Sequence, residues 1–220
     1  MKLLQVLNTS VGSKILIALT GLSLVGFLVT HLAGNLLLLV GGDAFNHYSD
    51  TLVKNPLIIP AEIGLLLLLV LHVVKALSGV VKNRGARPVR YEKKVWAGGP
   101  SRKSLSSTWM ALSGSLLLAF LVLHIAMFKF GPHYASAEPG VRDLARLVIE
   151  TFRQPAWTAF YVVAMVIVGM HLRHGVSSAL QSLGLMPRSL TRVMLTGCAL
   201  AAVAIAGGFA LIPVVIYFTQ

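Results

Sequence analysis

The chain has 220 residues, of which 56% are hydrophobic and 12% charged, with a mean hydropathy of +0.80. A soluble domain carries roughly twice that charged fraction, so a water-soluble globular enzyme is excluded. The formal net charge is +12, and a single cysteine leaves no disulfide framework and no thiolate metal site.

Five stretches reach the roughly 20 apolar residues that a hydrocarbon core requires. They cover residues 15–40, 57–81, 105–128, 155–180 and 193–218. Each must be helical, because lipid offers no partner to an unpaired backbone amide. Residues 1–220 therefore read as one all-α domain, an integral membrane bundle of five transmembrane helices with short connections. The first stretch runs on through His31 and Asn35 to Val40 without a small-residue cleavage site, so it reads as a span and not as a cleaved signal. It is followed by spans that carry His72, His124 and His171 in turn. Cys198 lies inside the last span, where a small packing role is expected. His47 and His133 fall in connections and are expected to be solvated.

Lys and Arg are shared unequally between the two sides. One side receives Lys2, Lys14, the loop from Lys82 to Lys103, Arg188 and Arg192. The other holds Lys54, Lys129, Arg142, Arg146 and Arg153, offset by Asp43, Asp50, Glu62, Glu138, Asp143 and Glu150. The positive-inside rule then places the N-terminus in the cytoplasm and the C-terminus outside. The basic residues cluster beside spans, where they set orientation and meet anionic lipid. No nucleic-acid partner is expected, whereas a basic cytoplasmic face can dock an acidic subunit.

This topology sorts the four intramembrane histidines by depth. His31 and His124, on spans running outwards, reach the outer third of the membrane. His72 and His171, on spans running inwards, reach the inner third, roughly 15 Å away along the membrane normal. An ionisable side chain within a bilayer is costly and usually functional, and imidazole is the commonest metal ligand. One such histidine can equally be an interhelical hydrogen-bonding residue. Two depth-matched pairs suit two six-coordinate haems, each held between helices by an imidazole from either side. A bare zinc or iron ion would need acids or cysteines at the same depth, and the spans offer none. Gly21, Gly26, Gly34, Gly64, Gly114 and Gly169 would leave room for a macrocycle, or would serve close helix packing. Lys75 and His174 each follow a histidine by three residues and so share its helix face. With Arg173 they are candidates to pair with haem propionates, or to snorkel to the interface. Glu62 is an acid near the outer end of a span.

Ser13-Lys14, Thr20-Gly21, Phe27 and the run His31-Leu32-Ala33-Gly34-Asn35-Leu36 resemble the first helix of a known family. It is the di-haem cytochrome b membrane-anchor subunit of succinate:quinone oxidoreductases, which include succinate dehydrogenases and quinol:fumarate reductases. Phe45-Asn46-His47-Tyr48, His72, His171-Leu172-Arg173-His174-Gly175 and Ser178-Ala179-Leu180-Gln181 agree with it. The resemblance covers essentially the whole chain, though the last span adds little. It implies that His31 and His124 ligate a distal haem b, and His72 and His171 a proximal haem b. It further implies a cytoplasmic iron–sulfur subunit and an FAD-containing flavoprotein, on which dicarboxylates react, in a bacterial-type cytoplasmic membrane. Electrons would pass through this chain to or from a quinone (menaquinone or ubiquinone), with Glu62, Asn35 and Thr30 as its candidate contacts.

One position departs from the pattern. Fumarate reductases that use a proton pathway beside the haems carry a glutamate two residues before the fourth-helix ligand, where this chain has Gly169. That leans towards a succinate dehydrogenase or a differently coupled reductase. The alternatives are a di-haem anchor of another respiratory oxidoreductase and a histidine-relay transporter. The first usually places several ligands on one helix, and the second predicts inverted repeats and broken helices.

Overall fold

The computed structural model describes Gln5 and residues 9–85 and 109–220. Lys2, the loop residues Arg87, Arg90, Lys93, Lys94, Arg102 and Lys103, and the start of the third predicted span at 105–108 lie outside the described residues. The elements in chain order are α1 (Ser10–Val40), α2 (Gly42–Lys54), α3 (Ile58–Gly85), α4 (Met110–Phe128), α5 (Leu144–Phe152), α6 (Pro155–Ser182), a 3-10 turn (Arg188–Leu190) and α7 (Thr191–Thr219). Five of these helices, α1, α3, α4, α6 and α7, are long and apolar enough to cross a membrane. They fall on the five stretches that hydropathy marks, with ends moved by a few residues. Large apolar side chains point outwards all round, among them Val122 at 65%, Val193 at 70% and Val203 at 69% exposure. A soluble protein does not leave that much apolar surface open.

Local chemistry places the helix ends. The Thr9 hydroxyl accepts a hydrogen bond from the Gly12 amide at 3.0 Å and starts α1. Pro155 opens α6, where its missing N–H costs nothing. The chain leaves α6 through Gly184, whose φ of +72° is the left-handed conformation that favours glycine.

The connections at one end are more than loops. The amphipathic helices α2 and α5, too short to span a membrane, pack against each other there and close that end of the bundle. Short connections were expected in both places. Leu38, Phe45, Val148, Phe152, Tyr161 and Ile216 form a buried cluster where these caps meet the spans. A second cluster joins α6 to α7 through Ala164, Met165, Val168, Leu172, Ala202, Ile205 and Ala206. Packing among the spans is uneven. A third of the apolar window in α6 and α7 is buried (33% each), against 6% in α4 and 0% in α3. α3 and α4 thus contribute least to the packed interior among the described residues.

An ionic group sits on the outer surface of the cap. The Arg146 guanidinium donates to the Glu150 carboxylate at 2.8 Å and stacks over the Tyr134 ring at 4.4 Å. The hydrogen bond from Arg146, followed by one from Tyr134, holds the Glu150 carboxyl below its ordinary range. A depressed folded-state value stabilises the fold above the ordinary carboxylate range, and that contribution disappears as pH falls through the lowered value. Glu150→Gln is expected to lower the melting temperature slightly at neutral pH and leave it unchanged at acid pH, where the wild-type carboxyl is already protonated, so that the acid limb of the profile flattens. Because the ion pair lies at the protein surface, the effect is small.

Candidate functional site

His31 and His124 stand on α1 and α4 with ring centroids 5.9 Å apart and planes at 88°. Each ring is stacked by the phenylalanine one turn before it: Phe27 on His31 at 5.3 Å and Phe120 on His124 at 5.7 Å. Tyr161 on α6 brings its hydroxyl to 3.4 Å from His124 Nδ1. The Asn35 amide nitrogen donates to the His31 carbonyl at 2.7 Å and lies 3.4 Å from both nitrogens of its ring. Both histidines lie towards the end closed by α2 and α5.

The other two histidines lie nearer the opposite end. His72 on α3 has its Nδ1 3.1 Å from the Thr20 hydroxyl of α1. His171 on α6 has its Nδ1 3.1 Å from the Ser113 hydroxyl of α4. The two imidazoles are within electrostatic reach of each other, as are His31 and His124. His31 and His124 thus stand in ring contact towards the closed end, while His72 and His171 meet hydroxyls of α1 and α4 nearer the other end. All four remain only partly covered by protein.

A metal bound by two imidazole nitrogens at about 2 Å each sets the ring centres on the order of 6 Å apart, close to the 5.9 Å separation of His31 and His124. A Cβ on Gly21 would stand 3.1 Å from His72 Cε1, and one on Gly114 3.5 Å from His171 Cε1. These two glycines give room to the imidazoles of His72 and His171 themselves. Of the other candidates, Gly26 and Gly64 face open space with nothing within 4 Å, Gly34 receives the Tyr48 ring, and Gly169 packs against α7. Among the described residues no group of three His, Cys, Asp or Glu side chains can hold a bare ion.

The remaining candidates separate by position. Lys75 and His174 are half-buried on the sides of α3 and α6 that carry His72 and His171, and His174 is within electrostatic reach of His171. Arg173 is exposed, about 200° around the helix from His171. Glu62 makes an ion pair with Lys129 at the closed end. Thr30 is exposed and hydrogen-bonds back to the Phe27 carbonyl at 2.9 Å. It points about 140° away from Asn35 around α1, so these two do not share a face. His47 and His133 are exposed and Cys198 is buried.

At Gly169 the physical reason for glycine is direct. A Cβ there would lie 3.2 Å from Ala206 Cβ, where α6 packs against α7. A glutamate would have to force these helices apart. Gly169→Glu is expected to destabilise the bundle by about 1–3 kcal/mol, as overpacking does elsewhere, measured by thermal unfolding in detergent. An unchanged melting point would mean that the helix contact yields freely.

No protein-family model, curated protein or solved structure matches this chain.

Ser113 and Tyr161 are absent from the residues that sequence reasoning selects, and Thr20 enters only as part of the first-helix motif, with no role attached. A signal for Thr20 and Ser113 is nevertheless present. Residues 18–33 and 111–126 align without a gap and are identical at nine of sixteen positions, including Gly21/Gly114, Phe27/Phe120 and His31/His124. Thr20 and Ser113 occupy the same place in this repeat.

Proposed function

We propose that this chain is the membrane anchor and electron-transfer subunit of a succinate:quinone oxidoreductase. The observation that supports it best is the sorting of four intramembrane histidines into two pairs, one towards each end of the bundle. His31 and His124 hold one haem b, and His72 and His171 the other. Bound there, protohaem supplies one-electron oxidation and reduction at two depths in the membrane.

The protein's own part is to hold the imidazoles, exclude water and set the polarity around them. Phe27, Phe120 and Tyr161 wall the outer pair, and the hydroxyls of Thr20 and Ser113 contact the inner pair. Lys75 and, at the interface, Arg173 provide positive charge for propionates on the inner side, with His174 as a hydrogen-bonding neighbour.

The basic connections support an N-terminus in the cytoplasm and a C-terminus outside, in a bacterial-type cytoplasmic membrane. The inner pair then faces an iron–sulfur subunit, itself joined to an FAD flavoprotein that handles the dicarboxylate. The quinone, menaquinone or ubiquinone, meets the chain near the outer pair. Glu62 and Asn35 are the nearest candidates for contact, with Thr30 on the lipid side.

A pyridine haemochrome assay on the purified complex tests the reading. Close to two protohaem per chain is the expected result, and haem-free protein would overturn it.

A further inference from the structure

We propose that Thr20 and Ser113 are positioning residues that present Nε2 of His72 and His171 as the ligating nitrogens of the inner pair. The inference rests on the haem reading above and adds residues that reading does not need.

The direction of the hydrogen bonds carries the argument. The Thr20 hydroxyl has one proton and lies 2.7 Å from the Leu16 carbonyl and 3.2 Å from the Ile17 carbonyl. A carbonyl only accepts, so the hydroxyl donates to its own helix. Its oxygen then accepts at the 3.1 Å contact with His72, which places the imidazole proton on Nδ1. Ser113 repeats the arrangement: its hydroxyl donates to the Met110 carbonyl at 3.1 Å and accepts from His171 Nδ1 at 3.1 Å. With Nδ1 protonated in both rings, the lone pair left for a metal is on Nε2. The hydrogen bond at one ring nitrogen decides which nitrogen is metallated.

Each hydroxyl is followed by glycine, and the pair forms a notch for one edge of the ring. The hydroxyl takes Nδ1, and the missing Cβ leaves room for the adjoining Cε1, which a Cβ would approach to 3.1 Å at Gly21 and 3.5 Å at Gly114. Both Thr20 and Ser113 are almost fully buried, at 3% and 6% exposure, so water does not compete for the bond.

The same notch occurs twice because the bundle is built from two like units. Each has a long span, a short capping helix and a second span: α1–α2–α3 and α4–α5–α6. In each unit the hydroxyl–glycine step lies eleven residues before the outer histidine and holds the inner histidine of that unit. Exchanging the units exchanges His31 with His124 and His72 with His171. Each pair therefore maps onto itself, and one device serves both members of the inner pair. The outer pair lacks this hydroxyl–glycine notch: Tyr161 approaches His124 at 3.4 Å, and the Asn35 amide lies 3.4 Å from the ring nitrogens of His31.

The test uses the assembled complex carrying Thr20→Val or Ser113→Ala. Losing the acceptor makes the ligand less basic. Each variant is expected to raise the midpoint potential of the inner component and weaken its haem retention roughly tenfold. The outer component should keep its spectrum and potential, and Thr20→Ser and Ser113→Thr should restore the inner one. Ser113→Ala adds no bulk, so it decides the matter even where Thr20→Val does not accumulate. A two-haem complex whose inner component ignores Ser113→Ala would overturn this inference alone. A wild-type complex without haem would overturn it together with the reading on which it rests.

Discussion

Replacing His31 or His124 with alanine is expected to abolish one of two haem components, and replacing His72 or His171 the other. Each pair draws its members from two different spans, so a single replacement leaves one imidazole and no opposing ligand. Packing cannot make up the loss, because α3 and α4 bury almost nothing of their own apolar windows. Reduced-minus-oxidised spectra of the four single variants would check the assignment. Loss of one component by His31→Ala and by His72→Ala alike would refute the pairing. The paired loss also separates ligation from a mere packing role, which would not group the four variants two by two.

The second large effect is expected at Asn46, far from the histidines. Its amide nitrogen donates to Asp143 Oδ1 at 2.8 Å, and its carbonyl oxygen accepts from the buried Ala145 amide at 2.8 Å. The residue is 5% exposed. This one side chain ties α2 to the start of α5, where Asp143 also caps the helix by accepting from the Arg146 amide at 3.0 Å. Asn46→Ala would leave the Ala145 N–H buried without a partner, at a cost of about 2 kcal/mol. Asn46→Asp should fare no better, since it sets a carboxylate beside Asp143. Equilibrium unfolding of the assembled protein in detergent measures both. A change below about 0.5 kcal/mol, the size of an ordinary surface substitution, would show that the two capping helices hold without this link.

A closed end of this kind has a functional consequence. The buried cluster beneath the caps includes Tyr161 and Phe152, and Phe128 packs on it while meeting the His124 ring edge-on at 5.3 Å. The caps therefore shield the outer pair from water on that side. On the proposed function, this limits solvent access to the outer haem.

Most of the membrane architecture was legible in the residue order, because spanning is a local property. About 20 consecutive apolar residues decide it, whatever their neighbours. The four histidines and their grouping by depth follow from span direction and rise per residue, with no contact information. The notch residues were legible only in principle: the repeat of residues 18–33 at 111–126 marks Thr20 and Ser113 as equivalent, yet says nothing of what they touch. A hydroxyl in a transmembrane helix can simply bond back to its own carbonyls, as both do. That each also meets an imidazole on the next helix depends on how the helices pack.

Tertiary structure alone decided three things. It turned two apparent connections into helices, because α2 and α5 gain their stability from each other and from the spans beneath. It gave Asn46 partners 97 and 99 residues away in the chain, a pairing no local pattern encodes. It also explained Gly169 as the contact point with Ala206, where a side chain has no space. The physical reason is the same in each case. Hydropathy and helix period act over neighbouring residues, whereas hydrogen-bond partners and interhelical clearance depend on residues that only folding brings together.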